Sequence, residues 1–121
     1  MHELSMAFNL VEIAEAAARE AGAARVGGVY LKLGVFAAVV KDALLFGYGI
    51  ATEGTLLEGS HLEIEDVPLV VYCPTCDCES ELPSIQLFEC PHCGRPVVDI
   101  RHGRELELTS MEIVEYASET A

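Results

Sequence analysis

Two cysteine pairs are the residues of this chain with the most definite chemistry. Cys73 and Cys76 frame one Cys-Pro-Xaa-Cys motif, Cys90 and Cys93 frame another, and thirteen residues lie between Cys76 and Cys90. Two tight turns that each present two sulfur atoms have the spacing of a four-thiolate zinc site. Four thiolates leave no open coordination position, so such a metal would be structural. A disulfide pair in a secreted domain and a redox dithiol are the alternatives.

The residue after each cysteine pair predicts how the two turns close. Gly94 follows the second pair, and glycine takes a positive φ without steric cost, which lets backbone N–H groups approach the sulfurs. Asp77 follows the first pair, and aspartate is among the few other residues that tolerate the left-handed region. We therefore expect left-handed backbone at both positions.

The chain begins Met1-His2-Glu3, which offers a second group of metal ligands. The Met1 amine, the deprotonated amide nitrogen of His2 and a His2 ring nitrogen can chelate one ion. Nitrogen donors in a plane suit Ni²⁺ or Cu²⁺ better than tetrahedral Zn²⁺. A fourth donor would come from the Glu3 amide, from a partner, or from a side chain such as that of His61 or His102. The alternative is an ordinary frayed terminus.

Hydrophobic periodicity predicts the elements that position these residues. Two helices are predicted at 3–21 and 41–51, strands at 26–33, 61–67 and 105–114, and a zinc module at 71–96. The predicted fold class is α/β (α+β), with a small three-stranded mixed sheet, two helices on one face and an inserted zinc ribbon. The domains would be 1–70 with 97–121, and 71–96.

The helix periodicity also predicts which side chains face the core. On the first helix these are Leu4, Phe8, Val11, Ala14 and Ala18, and on the second they are Leu44, Leu45 and Tyr48. Gly47 and Gly49 each cost roughly 1 kcal/mol in a helix relative to alanine. We attribute both glycines to close packing against the sheet.

Composition narrows the classes of function. The formal charge is −13, and the chain has only 7 Lys and Arg residues, which argues against nucleic acid as a partner. Three of these, Arg95, Arg101 and Arg104, follow the second cysteine pair, and they are either solvated or a local docking patch. No apolar run reaches the roughly 18 residues of a membrane helix. We expect a cytoplasmic protein without membrane contact, where reduced thiols favour metal over disulfide.

The start of the chain, the cysteine pairs and several further stretches occur together. They read MHELS at 1–5, RV at 25–26, VYLKLG at 29–34, EGT at 53–55, EGSHLEI at 58–64 and GREL at 103–106. In this order they resemble the HypA/HybF family of hydrogenase nickel-incorporation proteins, over nearly the whole chain. The resemblance implies a nickel metallochaperone, not an enzyme, that works with the GTPase HypB and delivers Ni²⁺ to the nickel–iron hydrogenase large subunit.

The resemblance also implies the site residues. Nickel, the cargo, would bind at Met1, His2 and Glu3, and a structural zinc would bind at Cys73, Cys76, Cys90 and Cys93. The chain departs from the family pattern at Cys78, a fifth cysteine that we take as a spectator. It also departs at residues 40–42, where the second helix begins without the usual proline and acidic residue.

Other functions stay open at this point. The main alternative is a zinc-ribbon module for protein interaction or nucleic-acid binding, although that class needs a basic stripe and interleaved aromatic residues. A thiol oxidoreductase would use one cysteine pair as a dithiol. A zinc hydrolase would need an open coordination position. We expect a monomer or a weak homodimer.

Overall fold

A computed structural model describes residues 2–83 and 86–118. Within them the elements follow the order α1 (Glu3–Glu20), β1 (Ala23–Gly34), a short 3-10 helix (Val35–Ala37), α2 (Lys41–Ala51), β2 (His61–Val67), β3 (Val70–Cys73), β4 (Cys78–Glu81), β5 (Asp99–His102) and β6 (Leu106–Tyr116). One three-stranded sheet has the order β2-β1-β6 and another has the order β4-β3-β5. The predicted fold class, with two helices, a small mixed sheet and a zinc-ribbon module, is confirmed.

The chain divides into two compact units. The first comprises the described residues of 1–31, 39–64 and 108–121, and the second comprises 32–38 and the described residues of 65–107. The division predicted for function, 1–70 with 97–121 against 71–96, stays a prediction. Among the described residues, neither helix has the length and apolar content that crossing a bilayer requires.

The first unit is built on a hydrophobic core that joins both helices to the strands. Its fourteen buried members are Ala7, Leu10, Val11, Ala14, Ala18, Ala23, Val26, Val29, Leu31, Leu44, Tyr48, Ala51, Leu57 and Leu62. Many of the members on α1 are alanines, which let the two helices approach closely. A Cβ added at Gly47 would lie 3.2 Å from Ala7 Cβ and 3.3 Å from Leu4 Cα.

This close approach corrects part of the predicted core. Leu4 and Phe8 are 47% and 49% exposed, and Leu45 is 42% exposed, whereas the small residues Ala7, Ala14 and Ala18 of α1 are buried. The partner of Gly47 is α1 and not the sheet. For Gly49 the packing explanation is wrong, since nothing lies within 4 Å of a Cβ added there.

The second unit is organised around β3. This strand pairs antiparallel with β4, where Cys73 lies opposite Cys78, and with β5, where Tyr72 lies opposite Asp99. Its core has six buried members: Leu69, Val71, Cys73, Leu82, Cys90 and Val97. Two of these are cysteines of the predicted zinc site, so the sulfur ligands form part of this small core.

A glycine contact closes the second unit at the end of β1. A Cβ added at Gly34 would lie 2.2 Å from the carbonyl carbon and oxygen of Gly103. The Gly34 N–H donates to the Glu105 carbonyl at 2.7 Å, and the Phe36 N–H donates to the Gly103 carbonyl at 2.6 Å. Only glycine fits at Gly34, because backbone occupies the space that a side chain would need.

Candidate metal centre

The four predicted zinc ligands come together in the second unit. Cys73 Sγ lies 3.7 Å from Cys93 Sγ, and Cys76 Sγ lies 3.8 Å from Cys90 Sγ. All four sulfurs lie within 4.8 Å of one another. Zinc–sulfur bonds of about 2.3 Å at tetrahedral angles require sulfur separations of about 3.8 Å. The two shortest of these separations therefore match a tetrahedral zinc site, and the remaining ones are within about 1 Å of it.

Both turns close as the sequence predicts. Gly94 has φ +76° and Asp77 has φ +51°, so both residues after the cysteine pairs take left-handed backbone. In the second turn the Gly94 N–H donates to the Cys90 carbonyl at 2.8 Å, and the Cys90 N–H donates to the Arg95 carbonyl at 2.8 Å. These bonds fold the chain back on itself, so that both sulfurs of the pair point the same way.

The sulfurs have unequal proton affinities. The backbone N–H groups of Cys93 and His92 point at Cys90 Sγ and lower the pKa of that thiol to about 6. The neighbouring sulfur of Cys93, followed by desolvation, raises the pKa of Cys76 to about 12. One thiolate thus forms readily, and further ones form only if a cation offsets their repulsion.

The donor chemistry fits zinc. Among the described residues, this is the only set of three or more His, Cys, Asp or Glu side chains close enough to share an ion. Cys73 and Cys90 are buried, Cys76 is half-buried and Cys93 is exposed. Four thiolates suit Zn²⁺ and complete its coordination, so water or substrate has no position on the metal.

Two residues beside the cluster were not predicted from the sequence. The Tyr72 hydroxyl donates to Asp77 Oδ1 at 2.5 Å, and the Arg101 guanidinium lies 4.4 Å from the centre of the Tyr72 ring. The hydrogen bond to the Asp77 carboxylate raises the pKa of Tyr72, so the phenol keeps its proton. No spacing rule could find the contact between Arg101 and Tyr72, because it depends on the register of β3 against β5.

Cys78, Arg101 and Arg104 lie in the second unit. Cys78 lies opposite Cys73 on β4 and is not a member of the four-sulfur cluster. Arg101 pairs with Asp99 at 3.0 Å and with Glu79 at 3.5 Å, so its charge is offset within its own sheet. Arg104 lies over the Phe36 ring, 5.5 Å from its centre.

Two of the predicted nickel ligands, His2 and Glu3, lie at the start of α1. Met1 falls outside the described residues, and the exposed His2 is the N-cap of α1. The first backbone bond of the helix runs from the Met6 N–H to the His2 carbonyl at 2.8 Å. Glu3 Oε2 accepts a hydrogen bond from the Val40 N–H at 3.2 Å.

The two histidines proposed as a fourth donor have other contacts. His61 Nε2 lies 3.6 Å from Glu63 Oε1, and His102 Nδ1 lies 3.1 Å from Glu105 Oε2. Among the described residues, His2 belongs to no set of three or more potential ligands close enough to share an ion. The fourth nickel donor therefore stays a prediction.

Comparison with known proteins decides the family. A family model described as "Hydrogenase/urease nickel incorporation, metallochaperone, hypA" matches residues 1–113. The chain belongs to the HypA family. This is a family of hydrogenase maturation factors and nickel metallochaperones rather than of enzymes.

Individual HypA proteins match over almost their full length. The hydrogenase maturation factor HypA of Chloroflexus aggregans is 57% identical over 112 residues, which are 93% of this chain and 98% of that protein. The HypA of a Roseiflexus species is 56% identical over 93% of this chain and 91% of its own length.

Solved structures share the HypA fold. The solution structure of the Ni metallochaperone HypA from Helicobacter pylori has a TM-score of 0.67 at 24% identity and covers 98% of this chain and 100% of that chain. A second solution structure of a HypA protein has a TM-score of 0.70, also at 24% identity, and covers 94% of this chain and 97% of that one. At this identity the likeness concerns the fold alone.

Proposed function

We propose that this chain is a nickel metallochaperone that binds Ni²⁺ at its amino terminus and helps insert it into the nickel–iron hydrogenase large subunit during maturation. Family membership supports the maturation role. The observation that supports the ligand assignment is the position of the exposed His2 and the half-buried Glu3 at the start of α1. Nickel is cargo here, so its ligands must release it as well as bind it.

The start of a helix suits this ligand set for a backbone reason. The first N–H groups of a helix have no partner in its hydrogen-bond ladder, which here begins at the Met6 N–H. The amide nitrogens of His2 and Glu3 precede that donor, so their deprotonation and binding to Ni²⁺ break no ladder bond. With the Met1 amine and the His2 imidazole they form a set of nitrogen donors that suits Ni²⁺.

Release follows from the same geometry. A planar nitrogen set leaves the two faces of the metal open to an incoming ligand. His2 is exposed, so a client side chain can reach the ion from solvent. Transfer would then proceed by exchange of nickel ligands, with the nitrogen atoms of the chaperone taking up protons as they leave.

The second metal of the proposal is a structural zinc held by Cys73, Cys76, Cys90 and Cys93. Sulfur separations of 3.7 and 3.8 Å support it, since they fit a tetrahedron around Zn²⁺. Zinc supplies the charge that four neighbouring thiolates require and links the two turns. We further propose that 71–96 acts as the zinc-ribbon domain and 1–70 with 97–121 as the nickel domain.

The partners of this proposal are the GTPase HypB and the large subunit. We propose that nickel is transferred in the cytoplasm, where reducing conditions keep the cysteines available as thiolates. Nothing in the proposal requires nucleic acid or a membrane.

Nickel titration of the untagged, zinc-loaded protein tests the site. We expect His2→Ala to weaken nickel binding at least about tenfold, since even residues that only support metal ligands change affinity by 10–100-fold. His92→Ala, which removes an exposed histidine beside the zinc site, is the matched control and should bind nickel like the unaltered chain. Equal nickel affinities for His2→Ala and the control would refute the amino-terminal site.

A further inference from the structure

The first cysteine turn is bracketed by a hydrogen bond between two side chains. Tyr72 directly precedes Cys73, and Asp77 directly follows Cys76. The Tyr72 hydroxyl donates to Asp77 Oδ1 at 2.5 Å. This bond therefore ties the residue before the first sulfur ligand to the residue after the second, and closes a ring around the turn.

The Tyr72 side chain is held from a second direction as well. The Arg101 guanidinium lies 4.4 Å from the centre of the Tyr72 ring, within the range of a cation–π contact. Arg101 is itself fixed by two hydrogen bonds to Asp99, at 3.1 and 3.0 Å, and by an ion pair with Glu79 at 3.5 Å. Glu79 and Asp99 are the cross-strand partners of Tyr72, so all three strands of the sheet fix its ring.

The second turn differs from the first at the matching position. Gly94 adopts φ +76° and has no Cβ, so its left-handed backbone needs no further support. Asp77 adopts φ +51° with a side chain, which L residues seldom do. The first turn therefore contains a strained residue together with a hydrogen bond that can hold it.

We propose that Tyr72 is a positioning residue for the zinc site, whose hydroxyl holds Asp77 in its left-handed conformation and thereby keeps the Cys73 and Cys76 sulfurs in their tetrahedral positions. The inference rests on the proposed zinc site. Without the hydroxyl, Asp77 relaxes toward ordinary backbone, the first turn opens more often, and zinc leaves faster.

Zinc transfer from the zinc-loaded full chain to a chromogenic chelator measures this effect. Tyr72→Phe keeps the ring beneath Arg101 and removes only the hydroxyl, so we expect zinc to leave about tenfold faster, the lower end of losses seen for groups supporting metal ligands. Tyr116→Phe removes the hydroxyl of an exposed tyrosine on β6 and is the matched control, with an expected rate equal to that of the unaltered chain. A Tyr72→Phe rate equal to the control overturns the inference.

A second substitution separates positioning from general loss of stability. Adding Asp77→Gly to Tyr72→Phe removes the need to hold a strained residue, so we expect the double variant to release zinc at close to the original rate. If it releases zinc as fast as Tyr72→Phe alone, the hydroxyl does not act through the Asp77 backbone and the inference fails. Cobalt-substituted samples should show the same tetrahedral thiolate spectrum throughout, because the ligands are unchanged.

Two further results distinguish a failure of the Tyr72 role from a failure of the proposed zinc site. An unaltered chain that binds no zinc overturns the site and the inference together, whereas equal release rates overturn the inference alone. Should Tyr72→Phe fail to fold, Asp77→Ala removes the same hydrogen bond while leaving Tyr72 and Arg101 in place. Asp77→Ala should also release zinc about tenfold faster, and an unchanged rate contradicts the proposal.

Discussion

The two units differ in the side chains that fill their cores. The first has fourteen buried residues in its core, all of them apolar side chains or tyrosine. The second has six, and two of these, Cys73 and Cys90, belong to the four-sulfur cluster. A small segment that lacks enough apolar area can fold around a metal instead. In our proposal, zinc therefore belongs to the interior of the second unit, whereas nickel binds at the surface of the first.

In our proposal, this difference distinguishes a zinc ion that stays bound from a nickel ion that is transferred to a client. Four sulfurs lie within 4.8 Å of one another, and two of the cysteines are buried, so we expect a bound zinc ion to leave slowly. In our proposal the nickel ligands include His2, which is exposed at the start of α1, where an incoming ligand can reach the ion. A carrier needs both a retained and a released metal, and we propose that separate units provide the two sites.

Loss of a sulfur ligand should have the largest effect and should be confined to the second unit. We expect Cys90→Ser to reduce zinc from one ion per chain to none, removing a binding free energy of the order of 10 kcal/mol. Native mass spectrometry measures the zinc, and backbone amide spectra should lose β3 to β5 while retaining α1 and α2. Cys78→Ser, which changes a cysteine outside the cluster, is the control and should keep its zinc. One zinc per chain in Cys90→Ser would contradict the ligand assignment.

A core substitution in the first unit should destabilise that unit and leave zinc binding in the second unit unchanged. Leu44 is fully buried among α1, α2 and the sheet. Leu44→Ala leaves a cavity and should lower the free energy of unfolding of the first unit by about 2–5 kcal/mol. Denaturant unfolding followed by helical circular dichroism measures it, with zinc content as a second reading. Loss of zinc from Leu44→Ala at low denaturant would show that zinc binding in the second unit depends on the hydrophobic core of the first.

Two glycines sharpen the comparison, because their substitution by alanine should have opposite signs. Gly34→Ala places a Cβ 2.2 Å from the Gly103 backbone and should destabilise the second unit by about 1–3 kcal/mol. Gly49→Ala on α2 meets nothing within 4 Å and should stabilise the first unit by up to about 1 kcal/mol. Thermal unfolding of both variants gives the two signs. A stabilising Gly34→Ala would show that the contact with Gly103 is loose.

A carboxylate in the second unit should give the smallest effect and a pH dependence. Burial acts to raise the pKa of Glu105, but hydrogen bonds from the Gly103 N–H and from His102 outweigh it, so the pKa is lowered. A lowered pKa adds stability that is present above the unfolded value of about 4.3 and is lost as pH falls through the folded value. Glu105→Gln should cost about 1 kcal/mol at pH 7 and little once the pH lies below the lowered folded pKa, as measured by thermal unfolding. An equal cost at both pH values would exclude the ionised form.

The sequence predicts some features of this fold well, for reasons that are local. The predicted bounds of α2 and β2 agree with the structure, since a clear period and flanking turns mark both. The left-handed backbone at Asp77 and Gly94 also followed from residue type. The grouping of the four sulfurs followed from spacing alone.

Other features depend on tertiary contacts between residues far apart in the sequence, which local patterns do not reveal. The strands β3, β4 and β5 have four residues each, too few for a period to be read. The strands β3 and β4 were predicted only as part of a zinc module at 71–96, and β5 was not predicted. Leu4 and Phe8 were expected in the core because an alanine-rich helix leaves its buried side ambiguous. The contact between Gly47 and Ala7 decided that side. The Tyr72–Asp77–Arg101 set depends on cross-strand register.

Nickel titration of two chains that differ only at the Met1 amine tests the central claim most directly. One is the unaltered, zinc-loaded chain, and the other has its Met1 amine acetylated, which removes that nitrogen as a donor. The account predicts that acetylation lowers nickel affinity by at least about tenfold, or 1.4 kcal/mol, while zinc stays at one ion per chain. Equal nickel affinity in the two chains would contradict it.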